Sequence, residues 1–231
     1  MSIDWLPFVL QTSDALFPTG AYAHSLGLEE FARLSGMRDE AGLREFLELH
    51  VLPALAHLEL PCLRYAHEAA EQADVAGLVE LDHEINAWKI PAETRAASAR
   101  LGGRRLEILL KTKPSPLLEA VSREVAAGRM TGHHLVISGV QYGSRDSAVP
   151  LEAALATYLY QTLSSYCVAA LKLLRIGQEG CQRALAACLA RAPEIVRDSL
   201  GVARAEAGSF NPLLEIASMR HAAAFERLFI S

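Results

Sequence analysis

The chain has 231 residues, 51 % of them apolar and 21 % charged, with a formal net charge of −5. This composition excludes a disordered chain, and the negative balance argues against a whole-molecule attraction to nucleic acid. The four cysteines, Cys62, Cys167, Cys181 and Cys188, form no CxxC pair, so no zinc site is expected.

Taken in order, almost every segment reads as helix. The opening stretch MSIDWLPFVLQTSD carries Asp4 early and has no basic segment before its apolar run, so no secretory signal and a cytoplasmic location are expected. Pro18 and Gly20 break any helix in SDALFPTGAYAHS, leaving an irregular loop. Ser25 is expected to cap the next helix, which stops near Gly36. Asp39 caps another, with an apolar stripe at Leu43, Phe46, Leu47, His50, Val51 and Leu55. Pro53 is expected to kink or divide that helix. Pro61 to Gln72 and Val75 to Ile90 read as two more, separated near Asp74.

Pro91 opens the next helix. The Gly102-Gly103 pair inside it is costly and points to a bend or to close helix packing. Pro114 and Pro116 end it, and Ser115 to Ala127 follows as a short helix closed by Gly128. His133 to Gly143 admits a strand at VISGVQYG, but no partner strand is evident, and it is read as helix. Pro150 to Gln178 carries no charge between Ala153 and Leu171, and apolar residues recur all round it. Its length allows a membrane span, but its hydroxyls, Gln161 and three tyrosines favour a central core helix, about 150–176, with Gly177 as a left-handed stop. Glu179 to Arg191, Pro193 to Ala207 and Asn211 to Phe229 complete the chain. One all-α domain spanning 1–231 is expected, a helical bundle built around the 150–176 helix.

Chemistry is sparse. No phosphate loop, dinucleotide fingerprint, HExxH or GxSxG occurs. His133 and His134 are adjacent on a helix, so they diverge and make a poor ligand pair. His57 and Cys62 are split by Pro61. An enzyme site from Tyr158, Tyr166, His133 and Glu84 is one alternative. A DNA-binding regulator using Arg95 to Lys113 is another, opposed by the acidic charge and the lack of a recognition helix. Glu59, Glu68, Glu71, Asp74, Glu80, Asp82 and Glu84 form an acidic region. Arg95, Arg100, Arg104, Arg105, Lys111 and Lys113 form a basic one, read as solvated faces or docking surfaces. The tail SMRHAAAFERLFIS and the loop FPTGAYAHS each hold apolar groups of the kind that mark interfaces.

Three stretches carry a resemblance. LQTSDALFPTGAYAHSLGLEEF, KLLRIGQEGCQRAL and FNPLLEIASMRHAAAFERLFIS resemble, in order, conserved patterns of the urease accessory protein UreF family; PAETRAASARLGGRRL is similar to a fourth. Ala222 replaces a Glu usual in that family, Ile230 an Arg, and Phe17 a Leu. The resemblance implies an all-α dimer without enzymatic activity and without a cofactor. It implies a role in nickel delivery to urease, bridging a UreD-type (UreH) protein and the GTPase UreG on apo-urease, with a proposed hand in GTP hydrolysis. The partner-binding positions it implies are Phe17, Pro18, Gly20, Tyr22, His24 and Ser25 in the loop, and Lys172 and Gln178 in the middle stretch. In the tail they are Arg220, His221, Arg227, Leu228, Phe229 and Ser231.

Overall fold

The computed structural model describes residues 3–14 and 16–231. Met1, Ser2 and Ala15, which belong to the opening stretch and loop read above, lie outside the described residues. Eleven helices and no strand occur among the described residues, so the all-α expectation holds.

Helix α1 (Leu6–Ser13) leads into the loop, and α2 (Leu28–Ser35) follows it. Ser25 is not the N-cap of α2. Gly27 holds that position with φ +88, because any Cβ there would press on Leu214 and the Ser218 hydroxyl. The next helix, α3 (Glu40–Glu71), starts where Asp39 accepts the Gly42 N–H, as expected.

Pro53 and Pro61 do not divide α3. Each follows a π-helical turn, Leu47–Val51 and Leu55–Glu59. A proline ring collides with the carbonyl four residues back and offers that carbonyl no N–H. The wider turn takes up the mismatch: the Leu52 N–H reaches Leu47 O and the Leu60 N–H reaches Leu55 O. The helix therefore runs on through both prolines. It is the one helix among the described residues long and apolar enough to cross a membrane, and its leucines 43, 47, 52, 55, 60 and 63 are buried in protein.

After α4 (Val75–Trp88) and α5 (Ala92–Thr112) come α6 (Pro116–Ala126), capped by Ser115 on the Leu118 N–H, and α7 (His134–Gly143). Next are α8 (Leu151–Leu173), α9 (Gln178–Leu189), α10 (Ala192–Gly201) and α11 (Pro212–His221). α8 packs against α2, α3, α7, α9 and α10, as expected of the helix the bundle is built around; the most fully buried helix is α7, in which every residue from Leu135 to Gly143 is buried. α7 lies between the second half of α3 and α5. Glycines make that approach possible. A Cβ on Gly139 would fall on Ala66, one on Gly143 on the His67 carbonyl, and one on Gly102 of α5 on the Gly132 carbonyl. Close packing, not a bend, is the reason for Gly102.

α8 buries one side, through Leu155, Tyr158, Leu159, Leu163 and Tyr166, and leaves Tyr160, Val168 and Leu171 about two-fifths exposed. A charge-free run read as burial all round is therefore a one-sided core helix with an uncovered apolar face. α8 also ends earlier than expected, and Gly177 is extended and begins α9. The last helix stops at His221; residues 222–231 form an irregular tail that folds back onto the N-terminal loop.

Candidate partner-binding surface

The loop and the tail, 200 residues apart in sequence, are joined strand-fashion by backbone bonds. The Ile230 N–H donates to Ala23 O at 2.9 Å, and the Ser25 N–H to Ser231 O at 2.6 Å. The same Ser231 oxygen accepts the Ser25 hydroxyl at 3.0 Å, and its own hydroxyl lies 2.7 Å from His24 Nδ1. Burial, and then the Arg100 charge, hold His24 below the usual imidazole range, so it serves here as a neutral hydrogen-bonding ring.

Two carboxylates fasten the rest of the tail. Glu29 accepts the Leu228 and Phe229 N–H groups at 2.7 and 3.0 Å. Buried His221 sits between Glu29 and Glu93, its Nε2 and Nδ1 at 3.1 and 2.8 Å from them. Arg227 also reaches Glu93, at 2.9 Å. The two ring nitrogens face different carboxylates, so this is a hydrogen-bonded bridge between helices and not a converging ligand set. Among the described residues no group of three or more His, Cys, Asp or Glu is placed to hold a metal ion. A second tie runs from Arg220 to Glu30, a carboxylate 2 % exposed that also takes Arg33.

The positions singled out in the sequence thus divide. His24, Ser25, His221, Phe229 and Ser231 are buried and hold the assembly together; Phe229 joins the main core. Tyr22 (70 % exposed) and Leu228 point outward, Pro18, Arg220 and Arg227 are exposed beside them, and Phe17 is half-buried. Gly20, at φ +84, turns the loop with open space around it. Lys172 of α8 lies over the Tyr22 and Phe229 rings at 5.9 and 5.2 Å and ties α8 to the same surface. Gln178 is exposed at the start of α9, outside the loop–tail bonds.

Sequence reasoning missed Glu29, Glu93 and Phe225. That Glu29 serves a segment 199 residues away has no local signature. Phe225 is fully exposed within the tail.

The other proposed sites do not assemble. His133 faces Asn86, whereas His134 faces Tyr158. Glu84 pairs with Arg204, and the Tyr166 hydroxyl donates to Leu26 O. His57 is exposed and Cys62 buried. Desolvation pushes the Cys62 and Cys167 thiols up to about 12, so neither is a thiolate at neutral pH. The charged regions are not continuous faces either. Asp82 is fully buried, accepting the backbone N–H groups of Thr131, Gly132 and His133, and Arg105 is 3 % exposed.

The model of the UreF family matches residues 37–189. The chain is 34 % identical to the urease accessory protein UreF of Paenarthrobacter aurescens (strain TC1) over 231 residues, all of both chains. It is 33 % identical to that of Arthrobacter sp. (strain FB24) over 96 % of this chain and 95 % of the relative. It is 30 % identical to that of Bacillus sp. (strain TB-90), with 96 % and 97 % covered.

Proposed function

The chain belongs to the urease accessory protein UreF family, which gives it a part in urease maturation, and we propose that it acts there as a non-enzymatic scaffold. In this reading the loop–tail surface takes up a UreD-type (UreH) protein. The assembled pair then receives the GTPase UreG on apo-urease, so that nickel, as cargo, reaches the enzyme. The protein works in the cytoplasm, as a homodimer. The observation that carries the reading is the braid itself. It is fastened from behind by buried polar groups while Tyr22, Phe225 and Leu228 stand exposed on its outer side. Large apolar and aromatic groups held rigidly in the open are what an interface uses as anchors.

The chain has no phosphate loop of its own, so any effect on GTP hydrolysis passes through the GTPase. Arg95, Arg104 and Arg220 already bond to Lys89 O, Glu107 and Glu30, and Arg105 is buried. That pattern favours ordering of the GTPase switch elements over donation of an arginine, with Arg100 the remaining exposed candidate. Tyr22→Ala, and separately Phe225→Ala with Leu228→Ala, remove outward-facing groups only. Each should weaken capture of the UreD-type protein by about 2 kcal/mol or more while circular dichroism stays that of the parent. Unchanged capture by both variants overturns the assignment of this surface.

A further inference from the structure

Behind the loop lies a cavity of about 790 Å³, within the range of small-molecule sites. Its mouth is bounded by Leu16 and Tyr22, both largely exposed, and its walls include Trp88, Leu101, Tyr158, His134 and Arg105. Arg105 is the anomaly. Its guanidinium cannot shed its proton, and a buried charge is held by an opposite charge or it destabilises the fold. Yet among the described residues its one hydrogen-bond acceptor is the neutral amide oxygen of Gln141, and its Nε has no partner. The Phe17 ring lies 5.4 Å from the guanidinium carbon, a weak substitute for a carboxylate.

The buried polar groups around Arg105 are neutral. His134 Nδ1 is buried without a partner, and desolvation together with Arg105 keeps that ring well below the usual imidazole range. Desolvation holds the Tyr158 phenol well above its usual range. Ser98, two turns before Arg105 on α5, accepts the His134 N–H. Asp14, Glu59, Lys89 and Glu215 also line the cavity, but none of them is buried; Arg105 is the one buried charge of the lining, set among neutral polar groups and mainly apolar walls. At Arg105 that set suits a planar anion carrying an apolar body.

We propose that this cavity binds a small monocarboxylate, seated on Arg105 beneath the Phe17–Tyr22 loop, with its apolar part toward Trp88 and Leu101. Arg104 donates to Pro18 O at 3.3 Å and Arg105 touches Phe17, so the carboxylate seat and the loop share one stretch of α5. The ligand would fill the floor on which the loop rests. The proposal stands whether or not the loop is a partner surface.

Trp88 serves as the reporter, since Trp5 is the other tryptophan of the sequence. The full chain carrying Trp5→Phe is titrated with sodium butyrate, and with sodium chloride and sodium phosphate at equal ionic strength. We expect a saturable change in Trp88 fluorescence with butyrate only, and a matching rise in thermal midpoint. Arg105→Gln should weaken butyrate roughly tenfold or more, the scale of one charge-assisted hydrogen bond. Without ligand, Arg105→Met should melt no lower than the parent, because it removes an uncompensated charge. An equal response to phosphate or chloride overturns the carboxylate assignment. No saturable response in the Trp5→Phe chain, or parental affinity in Arg105→Gln, overturns the site, and the titration of the Trp5→Phe chain decides even if both Arg105 variants fail to fold.

Discussion

The centre of the molecule and its loop–tail surface are built on opposite principles. Around α7 the backbones of α3, α5 and the Gly132 turn approach until glycine is the only residue that fits. The surface at the other extreme is held by groups reaching across gaps: Glu29, Glu93 and Glu30 take side chains from the end of α11 and backbone N–H groups from a tail without helix. A core packed backbone to backbone is sensitive to a single carbon, because neighbouring main chain cannot move aside. A segment held by polar ties comes loose one tie at a time, each worth about 1 kcal/mol. The first kind of region sets whether the protein folds; the second sets the shape of the exposed loop–tail surface.

The largest test of this contrast is Gly102→Ala. The new methyl would meet the Gly132 carbonyl and the His134 N–H, both main chain. We expect a loss of about 3 kcal/mol in urea unfolding, at the upper end for overpacking. Gly103→Ala, one residue on, meets nothing within 4 Å and should stabilise by about 0.5–1 kcal/mol through helix propensity. Equal effects at the two positions would mean that close approach is not what holds α7.

Asp82→Asn comes next. The carboxylate is fully buried and accepts three N–H groups at 2.6 to 3.2 Å, fixing the turn that delivers α7. An amide of the same shape turns an N–H₂ toward some of those donors. We expect about 2 kcal/mol of destabilisation, the cost of leaving a buried donor unsatisfied. A thermal midpoint within a degree of the parent would show that water satisfies the turn.

How much of this was legible in the sequence follows the same division. Helix type, and most starts, could be read, because Asp39, Asp74 and Ser115 act on N–H groups three residues away. Gly102 could be flagged but not explained, since its partner Gly132 is thirty residues on. The reading of α8 as buried all round failed because absence of charge does not say which sides are covered. α7 contains Gly139 and Gly143, and these small residues are what let its neighbours close in on it. The prolines of α3 misled because a π-turn keeps the helix going, a device with no composition signal. The family resemblance named loop and tail residues together, but that one holds the other is a tertiary fact. Nothing local distinguishes buried His221 from exposed Arg220.

At the surface, His221→Ala removes a ring between two carboxylates and should free the tail without unfolding the core. The global midpoint should drop by about 1 kcal/mol or less in stability terms, since the lost contacts are peripheral polar ties. Hydrogen exchange at the Ile230 and Leu228 amides should rise by about tenfold or more, reflecting local opening. Uniform acceleration across α7 as well would make the tail part of the cooperative core and erase the contrast.

The smallest effect concerns acid. Glu30 is held below the usual carboxylate range, first by its hydrogen bond from Arg33, with Arg220 of α11 adding to it against the opposing cost of burial. A depressed carboxylate stabilises the fold above its ordinary range near 4.5, and the contribution fades as pH falls through the depressed value. Arg33 and Arg220 are more than half exposed, so solvent screening keeps the contribution below about 1 kcal/mol. Glu30→Gln should therefore cost that amount near pH 7 and nothing once the pH is well below 4.5, where the parent carboxylate is also neutral. Parent and variant melting curves collected from pH 7 downward should converge in acid. A constant gap at all pH values would mean that the Glu30 side chain matters by shape alone, and that the tie between α2 and α11 is packing rather than charge.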